Sequence, residues 1–342
     1  MEVQMKVIKI LVLCGVFLLA VTAPILANGS SDSESTQKRI VIMPGNLGNP
    51  YFEACRDGAM EAGEELGVEI IYQGAPQAVA EQQIEVIETL ISQRVDGMAI
   101  SSVDPDALIP VAQKAMKAGI PIVSYDTPIG PAGRHMDVMP ANNETIGRQM
   151  GAVMAEMIDG QGEVAILSSS NTFFATNEWI RYATMELEKY PDIEIVATVY
   201  GEDMSDKSYR EAIGLMKSHP NLRGIMSPTS VGVASAGKAI QDEGMIDTIE
   251  LTGLGLPSEM QEYIKSGACK RLLLWSPVDL GYASVYAVYQ VMVGNNTGAK
   301  GETVDLGKLG KTEVVDDEGQ IFMGSSLTEF NAANIDDWSG VF

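Results

Sequence analysis

The chain has 342 residues, of which 46% are hydrophobic and 20% charged, enough for about two globular domains with real cores. Its formal charge of −23 excludes nucleic acid and anionic membrane surfaces as partners, because both need clustered Lys and Arg. We read the acidity as serving solubility rather than as a binding patch.

In chain order, the first element is a leader. Lys6 and Lys9 precede an apolar run over 10–21, and a small-residue end follows at Ala27. That pattern predicts a secretory signal peptide over 1–27, since the run is short for a bilayer span. Residues 28–37, NGSSDSESTQ, read as a flexible linker. From there one unit repeats: a short apolar strand, a turn and an amphipathic helix. Strands are expected at 39–44, 68–74, 97–102 and 120–126, with helices over 51–66, 80–93 and 106–119 between them. Such alternation predicts parallel strands with crossover helices, and the unbroken apolar runs at 40–43 and 97–100 predict strands covered on both faces.

A second, similar series begins near Asn143. Helices are expected at 144–158, 174–190, 205–218, 231–243 and 257–266, with strands at 162–170, 193–201, 222–230, 249–255 and 269–277. A helix over 278–293 and a strand-rich tail around 312–315 and 320–323 complete the chain. The fold class is therefore α/β, with two doubly wound parallel-sheet lobes.

Open α/β sheets bind ligands at the carboxyl ends of their strands. In the first series those ends carry Gly45, Asn46, Asn49, Tyr51 and Phe52, then Ser101 and Ser102, then Asp126 and Thr127. In the second they carry residues 171–177, Pro228, Thr229, Ser230, Gly255 and Trp275. Amides, hydroxyls, one carboxylate and aromatic faces suit a neutral polyhydroxylated ligand, whose C–H faces stack on rings and whose hydroxyls bond in fixed directions. Catalytic motifs are missing: there is no Gly-x-Ser-x-Gly elbow and no phosphate-binding loop, and GLGLPS (253–258) reads as a turn. The carboxylates of DMSDKS (203–208) and DPD (104–106) read as helix N-terminal residues. Trp179 reads as core, because Ala183 continues its stripe, and Phe173 and Phe174 fit wall or core equally. Cys55 and Cys269 read as small buried side chains, and His135 and His219 have no metal-ligand neighbours. Neither a cofactor nor a metal is expected, and the chain is not expected to be an enzyme.

The strand order, the GNPYF loop, VDGMAISSVDPDAL, IPIVSYDTP and the helix DLGYASVYAVYQVM together resemble the type I periplasmic sugar-binding proteins of ABC importers, whose best-known member binds ribose. The likeness covers residues 38–342. LLLWSP and the ending FNAANIDDWSGVF look closer still to the rhamnose-binding and autoinducer-2-binding branch. The resemblance implies that Asn49, Tyr51 and Phe52 hold the sugar and that Asp126 bonds two hydroxyls. The Arg that usually follows that carboxylate is Thr127 here, and Asn177 stands where a second Arg is common. Thr229 replaces an Asn, Gly255 a second Asp, and Trp275 the hinge Gln. Autoinducer-2 receptors carry a Lys where this chain has Gly45, an Asp-Gln pair where it has Ala175 and Thr176, and a Pro-x-Ala where it has Pro228, Thr229 and Ser230. They also carry the Asp after strand four, and of these anchors only Asp126 and Pro228 match, so the autoinducer ranks below a sugar.

A pocket short of charge, with apolar surfaces such as Ala175 and Trp275, would tolerate a methyl group, which favours a deoxyhexose such as rhamnose. The implied mechanism is hinge closure of two lobes, 38–140 plus 277–324 and 141–276 plus 325–342, joined near 140–142, 275–277 and 324–326. The implied partners are a small sugar and a membrane permease that reads the closed form of a monomer outside the cytoplasm. A receptor for autoinducer-2 or another small polyol is the alternative, as is a sensor subunit read by a chemoreceptor. A repressor of the same fold is disfavoured by the leader and by the lack of an N-terminal helix-turn-helix.

Overall fold

The computed structural model describes residues 37–324 and 327–342. The expected leader and nearly all of the linker lie outside them. The first series runs β1 (Arg39–Met43), α1 (Pro50–Leu66), β2 (Glu69–Tyr72), α2 (Ala80–Ser92), β3 (Gly97–Ile100), α3 (Ile109–Lys117), β4 (Ile122–Tyr125) and β5 (Met136–Met139). The second runs α4 (Asn143–Met157), β6 (Gln161–Ser168), α5 (Phe174–Leu187), β7 (Asp192–Tyr200), α6 (Ser205–Ser218), β8 (Leu222–Ser227), α7 (Ser230–Asp242), β9 (Glu250–Gly253), α8 (Pro257–Ser266) and β10 (Leu272–Leu274). The chain then adds α9 (Pro277–Met292), β11 (Thr303–Asp305), β12 (Lys311–Glu313), β13 (Gln320–Phe322), β14 (Thr328–Phe330) and α10 (Ile335–Trp338).

Two sheets result. The first has the order β13-β5-β4-β3-β1-β2 and is parallel throughout. The second has the order β7-β6-β8-β9, also parallel, and β10 leans on its β9 edge through a bridge from Leu254 to Leu273 while pairing antiparallel with β14. The chain passes between the lobes three times: after β5, after β10 and between β13 and β14. Ser325 and Ser326, in the third passage, lie outside the described residues.

The unbroken apolar strands arise because helices cover both sheet faces. On β1, Ile40 and Ile42 pack with Cys55 and Ala59 of α1 and Val285 of α9, while Val41 and Met43 pack with Leu90 of α2 and Val111 of α3. All four strand residues are fully buried. The sequence pattern missed β5. Its central residue is Asp137, a charge in a position where an apolar side chain is expected. Burial is tolerated because Arg134 lies 2.7 Å away and Ser124 Oγ donates to its other oxygen at 2.6 Å.

Helix α1 carries the front of the first lobe, and its placement is tightly constrained. Asn49 caps it by accepting from the Tyr51 N–H, and Pro50 starts it where no N–H is needed. Behind, α1 lies directly on α9, glycine against backbone. A Cβ at Gly58 would run into the Val278 carbonyl, and one at Gly281 into the Cys55 carbonyl. Neither obstacle is a side chain that could rotate away. Gly281→Ala should therefore destabilise the protein by at least about 1–3 kcal/mol, the usual cost of overpacking. Urea unfolding at equilibrium would check this, and an unchanged midpoint would show that the helices can separate freely.

Candidate functional site

The strand ends meet in a partly open cavity between the lobes. From the first lobe it is lined by Asn49, Tyr51, Phe52 and Asp126, and from the second by Phe173, Thr176, Trp179, Asp203, Pro228, Thr229, Ser230 and Leu254, with Leu274 and Trp275 at the crossing. Its volume is about 40 Å³, where one water needs roughly 10–15 Å³.

A directed chain of hydrogen bonds crosses the floor. The Trp275 Nε1–H can only donate, and it donates to the Tyr51 hydroxyl at 2.8 Å. The Tyr51 proton is thereby turned to Asp126 Oδ1, 2.7 Å away. Asp126 Oδ2 accepts from Ser101 Oγ and from Thr127 Oγ1, each at 3.4 Å. Asp126 is 3% exposed, and none of the described lining residues is Lys, Arg or His. Desolvation pushes its pKa up to about 6, against the pull of the three hydroxyl donors. Desolvation, with the nearby Asp126 charge, also holds the Tyr51 phenol well above its usual range. The rings pack edge to face, with centroids 5.1 Å apart for Tyr51 and Phe52, 5.9 Å for Tyr51 and Trp275, and 5.6 Å for Trp179 and Trp275. That leaves aromatic walls beside the Asp126 floor.

The second lobe contributes a carboxylate that the sequence reading placed elsewhere. Asp203 accepts from Thr229 Oγ1 at 2.9 Å and from Asn49 Nδ2 at 3.4 Å. Desolvation raises its pKa too, opposed by these two bonds. Both cleft carboxylates have left-handed backbone, φ +61° at Asp126 and +50° at Asp203, a region that Asp and Asn enter at the least cost among residues with a Cβ. Ser230 Oγ donates across the cleft to Asn49 Oδ1 at 3.0 Å.

Eight of the ten candidate residues line this cavity: Asn49, Tyr51, Phe52, Asp126, Pro228, Thr229, Ser230 and Trp275. Two do not. Gly45 lies behind the rings of Phe52 and Phe173, where a Cβ would touch both. Asn177 lies one residue past Thr176, and hence about 100° further round α5. Its amide donates to the Asn171 carbonyl, and it borders a separate surface groove. Thr176 and Trp179 hold the inward face of α5 instead. Trp179 is both core and wall: it is 4% exposed and its Nε1–H donates to Asn143 Oδ1. Asp203 departs from the expected helix start, since Met204 is the N-cap of α6 and makes no side-chain bond there. The expectation of a site with a single carboxylate is corrected accordingly. Among the described residues no group of three His, Cys, Asp or Glu could hold a metal ion, and no helix is long and apolar enough to cross a membrane.

The family model of the periplasmic binding protein domain matches residues 40–296. The chain belongs to the type I periplasmic sugar-binding proteins of ABC importers. A solute-binding protein from Clostridium phytofermentas, solved with L-rhamnose bound, is 31% identical, with a TM-score of 0.85, and the match covers 90% of this chain and 99% of that one. The D-ribose/D-allose-binding protein of Pseudomonas aeruginosa is 24% identical over 82% of this chain and 88% of its own length. LsrB of Clostridium saccharobutylicum, solved with AI-2, is 22% identical with a TM-score of 0.81 over 88% of this chain and 99% of that one, and shows the shared fold. Membership implies a binding rather than a catalytic role, a location outside the cytoplasm and the membrane components of an importer as partners.

The buried carboxylate makes stability depend on pH in a definite sense. A folded pKa raised from 3.8 to about 6 means that the folded state holds the proton more tightly. Its stabilising contribution is full below pH 4 and is lost as pH rises through 6. The loss amounts to about 3 kcal/mol at one pKa unit per 1.36 kcal/mol. Asp126→Asn should remove it, so the ligand-free variant should gain stability over wild type as pH rises from 4 to 7. Urea unfolding of both proteins at several pH values would show this, and parallel curves would mean that Asp126 is not desolvated.

Proposed function

We propose that this protein is the extracytoplasmic receptor of an importer for a small neutral deoxyhexose, with L-rhamnose the first candidate. The observation that carries the reading is Asp126 on the cavity floor: a buried carboxylate held only by neutral donors and walled by aromatic rings. An ionised carboxylate has about four lone-pair positions. One is taken by a short bond from Tyr51 and two by long ones from Ser101 and Thr127, so strong hydroxyl donors would improve on what is there. With Asp126 and Asp203 in the wall and no cation among the described lining residues, the cavity repels sugar acids and phosphates. The ring edges and faces of Tyr51, Phe52, Trp179 and Trp275 suit the C–H surface and methyl group of a deoxy sugar. The L-rhamnose complex of a 31% identical relative supports the same choice.

A pyranose exceeds a 40 Å³ cavity, so entry requires the lobes to part. We infer a hinge at the three passages near 140–142, 275–277 and 324–326, with lobes 38–140 plus 277–324 and 141–276 plus 325–342. Only the closed form can contact ligand on both sides, so ligand favours closure. The permease would read that form. The predicted leader over residues 1–27 would deliver the protein across the membrane.

Thermal shift over L-rhamnose, other deoxyhexoses, pentoses, autoinducer-2 and sugar acids is the test. L-rhamnose should raise the melting temperature, and Asp126→Ala should abolish the shift. A ligand at 100 times its Kd adds about 2.7 kcal/mol of stability. Affinity should fall as pH drops through about 6, because protonation removes the charged acceptor. A shift confined to anionic ligands would overturn the reading.

A further inference from the structure

We propose that Asp203 is the ligand's anchor in the second lobe, and that the Asn49 amide now bonded to it across the cleft is the partner a ligand hydroxyl displaces. The proposal rests on the cleft being a sugar site and deepens it by naming a specificity residue.

Three observations place the carboxylate there for a ligand. The first is backbone. Glu202 and Asp203 are consecutive left-handed residues, φ +55° and +50°. Two such residues in a row are costly without glycine. The turn they make takes Asp203 away from the start of α6, where its charge would meet the free N–H groups of the first turn, and puts it in the cavity wall. Asp206 keeps that place in the first turn instead.

The second is partner type. Asp203 Oδ1 takes one short bond, from Thr229 within its own lobe. Oδ2 takes one bond of 3.4 Å from the opposite lobe, near the limit at which a hydrogen bond counts. The Asn49 side chain is held by other bonds. Its Oδ1 is pinned by the Tyr51 N–H at 3.0 Å and by Ser230 Oγ at 3.0 Å. Asp203 therefore keeps unused acceptor capacity facing the cavity, and the one cross-cleft bond it has is weak enough to exchange.

The third is symmetry of design with Asp126. Each lobe presents one carboxylate from a left-handed residue beyond a strand end, each held by neutral donors alone. A ligand that satisfies both must carry at least two hydroxyl donors. That requirement favours a polyhydroxylated ring with no anionic group.

The test is calorimetry with L-rhamnose on wild type, Asp203→Gly and Asp203→Asn. Glycine relieves the left-handed backbone, so that variant keeps the fold, and asparagine keeps the size of the side chain. Both should bind at least about tenfold more weakly, the low end for losing one hydrogen bond to a charged acceptor. Rhamnose analogues each lacking one hydroxyl supply the second readout. One analogue should bind wild type more weakly than rhamnose does, yet lose nothing further on Asp203→Gly, because the deleted hydroxyl and the deleted carboxylate are partners. Wild-type affinity in both variants, beside a wild type that binds rhamnose, would overturn the anchor and leave the sugar reading standing. An equal loss for every analogue would also overturn it, since the carboxylate would then act through the loop. Failure of wild type to bind any neutral sugar would overturn the functional reading and this one with it.

Discussion

The cleft depends on one chain of hydrogen bonds, from the Trp275 indole to the Tyr51 hydroxyl to the Asp126 carboxylate. Because the indole only donates, the direction of every proton in the chain is set. Tyr51 sits at the start of α1, Asp126 at the end of β4, and Trp275 where the chain leaves β10 for α9. The chain thus ties both lobes to one carboxylate at the point where the backbone passes between them. Replacing the hinge Gln of ribose binders with Trp275 changes more than volume. It removes an amide that could both donate and accept toward ligand, and supplies an apolar wall whose single donor is already spent on Tyr51. An apolar wall at that position suits a C–H or methyl surface better than a hydroxyl.

In the proposed closure, lobe contact and recognition would share the same atoms. Asn49 caps α1, accepts from Ser230 of the other lobe and donates to Asp203. One side chain therefore holds a helix end, a lobe contact and part of the wall. Such sharing would make the proposed closed form partly self-sufficient, since some cleft donors find protein partners across the gap. A ligand gains only by the difference between its own bonds and those it replaces. The three bonds at the limit of length, Asn49 to Asp203 and Ser101 and Thr127 to Asp126, are where that difference is greatest.

Much of the fold was legible because parallel strands buried on both faces read as apolar runs, and the helices between them as amphipathic stripes. What was lost was β5, hidden by Asp137, and the short strands β11 and β14, whose three-residue lengths carry no period. The place of Asn49, Tyr51, Phe52 and Asp126 in the cavity wall was legible because a carboxyl strand end is a fixed address in such folds. Asn177 failed for want of helix phase: a shift of one residue turns a side chain from cavity to surface, and the start of α5 cannot be set to one residue without a capping side chain, which Phe173 does not supply. Asp203 failed because an acidic residue before a helix ordinarily serves the helix. Only the left-handed backbone, which a sequence shows for glycine and not for aspartate, turns it elsewhere. Trp179 was legible as core and is core, but its stripe also ends at the cavity.

The same lobe holds two buried aspartates that show what partner type decides. Asp137 faces Arg134 at 2.7 Å and Ser124 at 2.6 Å, with both its oxygens engaged and the Arg134 side chain 2% exposed. A charge so neutralised has no reason to seek a ligand, and removing either partner would leave the other stranded. Asp126, eleven residues earlier in the sequence, is as deeply buried but has only hydroxyl donors. Neutral donors keep it ionisable near pH 6 without saturating it, so part of its desolvation cost remains uncompensated until other donors arrive. That residue of unfavourable energy is what a hydroxylated ligand can relieve, and a ligand without donors cannot. An Arg after Asp126, as in the ribose binders, would relieve it in advance and hand specificity to the cation; Thr127 in that place leaves the selection to the ligand's own hydroxyls.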